Sequence, residues 1–555
     1  MAILRALVVL SVSWAVACSG SDDGGAADDG AGNASSGGAT NGGSSGAGGT
    51  NGGSATGGVA NGGTSSGGAS ATGGTSPSGG LSGSSGSAGS AGSPAWVCAA
   101  IPPADTTTPD HVVGDGTPAS CSPQALQTAA TAGGSITFDC GDEPITITVT
   151  STIVFTEETL LDGGGLVTLS GGGSERILYL DSGYDQTTPR LTVQRLVFRD
   201  GNSPATGDDT ADGGGAIYRD GGSLTVIDCQ FDDNHAPATG QDLAGGAIYG
   251  FGGGETVISD STFTNNSASD GGAVGSLNGD LTIIDSTFTN NAATGTDGNP
   301  GNGGCGGAIY MDGGDEMAAF CGVVIADNTA GAIAGGVFRV SNSDDGTFTM
   351  DRSTVTGNRV TPTVDGNAGG MYLQGLALTI TASTISRNQA FYNGGIWISE
   401  REANLTNVTI AENTAFGSNG GGMWLANAPT GTMLNCTVAN NHSTAEGMVA
   451  GAIFGDGLVL KNTLVSGNTA MYTPGCSARH ESGGGNLQFP GGALCTESPT
   501  IADPLLGMLG DNGGPTETLV PGPSSPAIDL GMDCPPTDQR GETRGEPCTA
   551  GAVEP

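Results

Sequence analysis

One phrase is written almost identically twice in this chain, and it limits the fold more than any other feature. TVISDSTFTNN (256–266) returns as LTIIDSTFTNN (281–291), and each copy is followed by a glycine pair and a short apolar run, GGAV at 271–274 and GGAIY at 306–310. Looser copies close on Asn202, Asn234, Asn266, Asn291, Asn328, Asn358, Asn388, Asn413, Asn441 and Asn468, at intervals averaging about 30 residues. No stretch in them has the 3.6-residue period of a helix. Short β-branched runs such as Leu224–Ile227, Leu281–Ile284 and Leu378–Thr381 stand between glycines and asparagines instead. A unit this short cannot bury its own apolar face, so the units must stack. The predicted architecture is all-β: a single-stranded right-handed parallel β-helix of about ten to thirteen coils, spaced ~4.8 Å apart, with a short N-terminal capping helix and a loop-rich C-terminal cap.

The stack explains the recurring residue types. The closing Asn is expected at a sharp turn, in left-handed backbone, with its amide bonded to the Asn of the next coil. Five residues upstream stands a small residue (Cys229, Ser261, Ser286, Ser353, Ser383, Cys436), and three upstream an apolar one (Phe231, Phe263, Phe288, Val355, Ile385). Both read as interior columns. With these residues quoted, Phe263-Thr-Asn-Asn266 and Gly272-Ala-Val274 resemble the FxxN and GGA[ILV] repeats of polymorphic outer-membrane proteins. That resemblance covers roughly residues 190–470 and implies a surface-exposed β-helix of the pectate-lyase-like kind. That family's C-terminal translocating barrel needs a long tail of alternating segments. The Gly- and Pro-rich residues after Asn468 do not provide one.

Residues 1–18 carry one arginine, a short apolar run and small residues before Cys18, the pattern of a lipoprotein export signal ending at a lipidated cysteine. The run is too short to span a bilayer. Ordinary cleavage after Ala15–Ala17, with Cys18 incidental, is the plainer alternative. Residues 19–93 hold no Lys, Arg or aromatic residue and are nearly all Gly, Ser, Ala, Thr or Asn, so they form a flexible tether rather than a core. Anchor, spacer and displayed body make sense together. Ser19 after the cysteine resembles lipoproteins sorted to the outer membrane, so the expected place is the cell surface. A net charge of −40 with a single lysine, Lys461, argues against nucleic acid and against an electrostatic grip on anionic lipid. Membrane contact is expected only through the N-terminal lipid.

The folded part is expected to open with a cap over 94–143. In it Ser122, Pro123 and Gly133 give N-cap, first position and stop of a short helix. Repeats then fill 144–475. In 476–555 the repeat is lost. Asp503-Pro-Leu-Leu-Gly507, Gly510–Thr516, Ser525–Asp529, Asp538–Gly541 and Gly551–Glu554 resemble, in order, the choice-of-anchor Q domain, which closes surface β-helix proteins and brings no catalytic residues. Arg540 and Arg544 are placed to pair with Asp529 and Asp538. Cys121/Cys140, Cys305/Cys321, Cys476/Cys495 and Cys534/Cys548 are local pairs that an oxidising space permits. Cys229 and Cys436 read as buried thiols, and Cys98 has no evident partner. No CxxC or CxxH spacing suggests zinc.

A polysaccharide lyase or hydrolase on this fold would need converging carboxylates and a basic acceptor. The acidic candidates are Asp208/Asp209/Asp212, Asp232/Asp233 and Asp344/Asp345, with Arg219, Arg339 and Arg352 as bases. All the acids stand in or near turns, where Asp is ordinary, and His111, His235, His442 and His480 join no Ser/Asp constellation. No catalytic residue, cofactor or metal is therefore assigned; calcium would suit the acidity but has no specific motif. The remaining candidate is an aromatic stripe after the glycine pairs: Tyr218, Tyr249, Tyr310, Phe338, Tyr372, Trp397, Trp424 and Phe454. Strand alternation sets each ring opposite its aliphatic neighbours. With two aliphatics flanking each Trp, the rings are expected to face solvent as a contact surface for a glycan or a partner protein. The expected function is surface display or adhesion without catalysis; the alternative is a polysaccharide-active enzyme.

Overall fold

The computed structural model describes residues 98–207, 211–298, 301–361, 366–399, 401–444 and 449–555. The expected signal peptide with Cys18, the tether, and Asp208 and Asp209 lie outside them. The described chain winds as a right-handed parallel β-solenoid of about 12 turns with very little helix. One coil consists of four short strands, Glu255–Ser259, Thr262–Thr264, Ser267–Ala268 and Val274–Leu277, here called its first to fourth faces. Each pairs in parallel with its counterpart one coil on: Ile258 with Ile283, Phe263 with Phe288, Ala268 with Ala293, Val274 with Ile309. Like residues therefore stack. The rings of Phe198, Phe231, Phe263 and Phe288 lie nearly parallel with centroids 4.8, 4.6 and 4.5 Å apart, close to the ~4.8 Å between coils.

The asparagines form a ladder at the corner between the second and third faces. Asn266 Oδ1 accepts from the main-chain N–H and the amide of Asn234 (both 3.0 Å). Its own amide donates to Asn291 Oδ1 (3.0 Å) and to the Phe231 carbonyl (3.1 Å). The pattern repeats through Asn291, Asn328, Asn358, Asn388 and Asn413, and Asn441 passes it to Asn468. A buried amide left unpaired would cost about 1–3 kcal/mol; here each one is used on both sides. Two expectations need correction. Asn202 is not a rung: it is in register with His235, and it is Gly201 N–H that donates to Asn234 Oδ1 (3.0 Å). The left-handed residue is not the rung but the one before it, as in Asp233, Asn265, Asn290, Asp327, Arg387, Glu412 and Asn440. That shift lets the rung side chain point inward while its neighbour makes the turn.

At the N-terminal end a helix, Pro123–Ala132, covers the open coil with Leu126, Ala129 and Ala130. Ser122 Oγ accepts from Ala125 N–H (3.2 Å), and Gly133 ends the helix at φ 72°. Coiling begins before residue 144, since His111–Gly114 already pairs with Gly134–Asp139, and it runs past 475 through Leu487–Phe489.

Both terminal segments return along the outside of the stack. Positions Asp162, Gln194, Ile227, Ser259, Ile284 and Cys321 occupy one outward column of the first face, in successive register. Residues 98–106 lie across it as a strap. Cys98 is bonded to Cys321, Ile101 N–H donates to Ser259 Oγ (3.0 Å), Ala104 exchanges two bonds with the Gln194 amide (2.8 and 3.0 Å), and Thr106 Oγ1 donates to Asp162 Oδ2 (2.6 Å). This corrects the Cys305/Cys321 pairing. Cys321 ends a first-face strand, whereas Cys305 precedes a fourth-face strand and remains a buried thiol. The pairs Cys121–Cys140, Cys476–Cys495 and Cys534–Cys548 are bonded. Cys229 and Cys436 are buried thiols, pushed up to about 12 by burial.

The C-terminal segment lies along the second face. Thr384 Oγ1 donates to the Glu517 carbonyl (2.6 Å), Thr409 Oγ1 to Gln539 Oε1 (2.6 Å), and Thr437 Oγ1 accepts from Ala552 N–H (2.9 Å). Leu509 and Leu519 pack on Ala411 and Ala439, and Ala527 and Ala550 on Leu464 and Leu487. Arg540 pairs with Asp538 (2.7 Å) as expected, but Arg544 reaches Glu554 (3.3 Å) and the Asn407 amide oxygen (2.8 Å), and Asp529 is in neither pair.

Candidate functional site

The aromatic column lies on the fourth face. Ile217, Ile248, Ile309 and Val337 point into the main core, so the next residue of each strand points away from it. Tyr218, Tyr249, Tyr310, Phe338, Tyr372 and Trp397 do point away, yet they are buried, with Tyr249, Tyr372 and Trp397 at 0, 2 and 6% exposure. The expected solvent-facing stripe is therefore corrected. Ala244, Ile333, Ala334 and Ala368, from the segments that connect third to fourth face, pack over the rings as a second hydrophobic layer. A Cβ on Gly213 would come within 2.2 Å of the Tyr249 ring, so the cover there needs glycine. The cover thins toward the C-terminal end, where Trp424 and Phe454 are half-buried. Rings stack at 5.3 Å (Tyr310–Phe338), 5.2 Å (Phe338–Tyr372) and 4.0 Å (Tyr372–Trp397), then turn edge-on at Trp424 and Phe454.

The basic candidates fall on the other side of the same strands. Arg219 and Arg339 are fully buried and point into the lumen, because alternation that sends Tyr218 and Phe338 outward sends the following residue inward. Arg219 survives there by donating to the turn carbonyls of Gly222 (3.0 Å) and Gly253 (2.8 Å), and burial pushes it down to about 10. Arg339 donates to the Glu316 carbonyl (2.6 Å), with the Glu316 carboxylate 3.9 Å away. Arg352 pairs with its neighbour Asp351 (2.8 Å).

The acidic candidates do not converge with them. Asp212 is buried in a turn, accepting from Thr206 Oγ1 and Gly207 N–H (both 2.7 Å). Asp232 accepts from Thr264 Oγ1 (3.0 Å), Asp233 faces His235 (3.1 Å), and Asp345 meets Arg401 at 3.6 Å. His442 meets Thr469; His480 is buried under the C-terminal coils, and burial pushes it down to about 4.

The chemically unusual cluster is one that motif spacing could not reveal. Asp242, Asp270 and Asp312 come from three successive coils and surround the phenols of Tyr249 and Tyr310. Tyr310 Oη lies 2.7 Å from Asp242 Oδ1 and 3.2 Å from Asp312 Oδ2. Asp270 Oδ1 accepts from Cys305 N–H (2.7 Å). Burial, with the charge of Asp242 adding to it, pushes Asp312 up to about 7, and burial holds Asp270 and the Tyr249 phenol well above their ordinary ranges. The only sequence signal was that Asp270 and Cys305 stand where Ala244, Ala334 and Ala368 stand, just before the glycine pair. Such a cluster can hold and pass protons. It lies beneath the segment 236–244, with Asp242 half-buried at the edge. A second residue missed is Arg176, whose guanidinium sits 4.6 Å from the Tyr218 ring centroid and donates to the Gly213 and Gly214 carbonyls (2.8 and 3.2 Å).

Comparison with known proteins adds the fold. A family described as "Right handed beta helix region" matches residues 301–489. No curated protein matches this chain. Among solved structures, the A-module of a mannuronan C-5 epimerase from Azotobacter vinelandii is similar at 14% identity and a TM-score of 0.26, over 66% of this chain and 99% of that one. A score that low supports no residue-by-residue comparison.

Proposed function

We propose that this chain is a lipid-tethered cell-surface protein whose solenoid is a rigid display body, contacting a glycan or partner protein without chemistry of its own. The observation that carries the reading is the fastening of both terminal segments along the outside of the stack. The strap that begins at Cys98, next to the expected tether, is locked to the flank at Cys321, which suits a body that hangs from its N-terminal end. The part of the aromatic column suited to contact is its thinly covered end, Trp424 and Phe454, with Phe416, Met471 and Tyr472 exposed. The cluster around Tyr310 favours a second reading, a polysaccharide-active enzyme, since a carboxyl held up to about 7 could act as a general acid.

Fractionation and glycan assays test the two together. Cys18→Ser is expected to abolish lipid labelling and move the protein to soluble fractions. Protease shaving of intact cells is expected to release the folded body. Binding of the full-length protein on a glycan array, lost in Trp424→Ala and without new reducing ends or unsaturated products, supports display. Turnover of a glycan that is lost in Asp312→Asn supports the enzyme.

A further inference from the structure

The aromatic column is interrupted once in its upper half. Tyr249 and Tyr310 are both in register with Gly275, which has no ring to offer. A Cβ on Gly275 would come within 2.4 Å of Ala244 Cβ, so Ala244 takes up the space that a ring would fill. Segment 236–244 is attached there by bonds that do not depend on charge. Ser269 Oγ donates to the Gly240 carbonyl (2.7 Å), Thr294 Oγ1 to the Ala238 carbonyl (2.9 Å), and Asp270 N–H to the Leu243 carbonyl (2.9 Å).

The contact of Asp242 with Tyr310 is an attachment of another kind, and it poses a counting problem. A phenol has one hydrogen, yet Tyr310 Oη has a carboxyl oxygen on each side, at 2.7 and 3.2 Å. If the phenol donates to Asp242, the Asp312 contact is attractive only when Asp312 carries a proton and donates in turn. Beside this chain, Asp270 Oδ2 and Tyr249 Oη are both fully buried and have no hydrogen-bond partner. An ionised carboxylate in that position is strongly disfavoured.

We propose that segment 236–244 is a proton-dependent clasp, held over the aromatic column by a chain in which a protonated Asp312 donates to Tyr310 and Tyr310 to Asp242, together with a neutral Asp270, and released where Asp312 and Asp270 ionise. The groups that bear on it are these carboxyls with Tyr249, Tyr310 and Tyr218. Across them stand the Cys305 N–H on Asp270 and the Asn342 amide on Asp312 (2.9 Å). From the neighbouring strand, the lumen-side Arg339 favours the charged form of Asp312, but more weakly than burial and Asp242 oppose it. The sign follows from linkage. Carboxyl groups that titrate higher in the folded state than their usual 3.8 contribute stability that is complete below that value. It is lost as pH rises through about 7 for Asp312, and Asp270, also held well above its usual range by burial, acts in the same direction. The clasp is tight in acid and slack above neutrality.

Hydrogen exchange on the full-length protein, corrected for the intrinsic pH dependence of exchange, reads the clasp directly. Protection of 236–244 is expected to fall about tenfold or more between pH 5 and pH 8. The strand Leu376–Thr381 serves as a reference that should stay constant. Asp312→Asn, which can still donate to Tyr310, should keep the protection at pH 8 that the native protein shows at pH 5. Equal protection at the two pH values, or the same fall in Asp312→Asn, overturns the proposal. Recovery of protection at pH 8 on adding calcium chloride would also overturn it, by making the cluster a cation site.

Discussion

The two terminal segments do the same work on different faces by different means. The N-terminal strap is nine residues laid across six coils, mostly exposed, with Ile101 half-buried and a disulfide at its far end. The C-terminal segment is longer and is held to the stack without a disulfide, its own Cys534–Cys548 link lying within it. It buries Leu509, Leu519, Ala527 and Ala550, and it threads Gln539 and Arg544 into the coil corners. A short strand of chain cannot bury enough apolar surface to offset its ordering entropy. A covalent link substitutes for that area. Where the chain is long enough to build its own small core, polar side chains suffice. The second face shows the same contrast: Thr262 and Val324 are exposed in the early coils, while Thr384, Thr409, Thr437 and Leu464 are buried under the returning chain.

Four changes would break or sharpen this contrast. The largest effect is expected from removing 505–555. That uncovers Ala411, Ala439, Leu464 and Leu487 together and should cost on the order of 5 kcal/mol or more, read as a lower denaturant midpoint with early loss of the C-terminal coils. Arg544→Ala comes next. Its guanidinium donates to the carbonyls of Thr549, Gly551 and Ala552 as well as to Asn407 and Glu554, so about 3 kcal/mol is expected, with exchange rising at 537–552 while the N-terminal strap is unchanged. Cys98→Ser should cost about 2 kcal/mol and free the first few strap residues, measurable as proteolysis near residue 100. If it instead loosens the C-terminal segment, the two fastenings are not independent. The smallest is Gln194→Ala, about 1 kcal/mol for the two bonds to Ala104. It should become larger in the Cys98→Ser background, where that amide is the main remaining hold.

Most of the stack could be read from residues. Asn and Phe recur because neighbours one coil apart are chemically alike, so period and inward columns appear directly in the sequence. Register by one residue is harder, as Asn202 shows: Gly201 fills the rung position there, and an asparagine next door imitates it. The Cys98–Cys321 pair was out of reach because the strap runs across the coils, and sequence distance says nothing about which coil it meets. Arg219 and Arg339 inside the lumen contradict the usual burial rule, and the carbonyls of nearby turns, with the Glu316 carboxylate near Arg339, make them tolerable. The buried column failed for a different reason. Alternation gave the direction of Tyr249 and Trp397, but not the connecting segments that lie over them.

The strap also decides where a pull would enter the molecule. Tension carried by the chain ahead of Cys98 would pass through the sulfur–sulfur link into Cys321, in the middle of the stack. The coils before Cys321 would lie off that load path. Cys321 belongs to a strand paired on both sides, to Ile284 and to Asp351, so two ladders would share the force at once. A body hauled from its end peels one coil at a time; one hauled from its flank must shear.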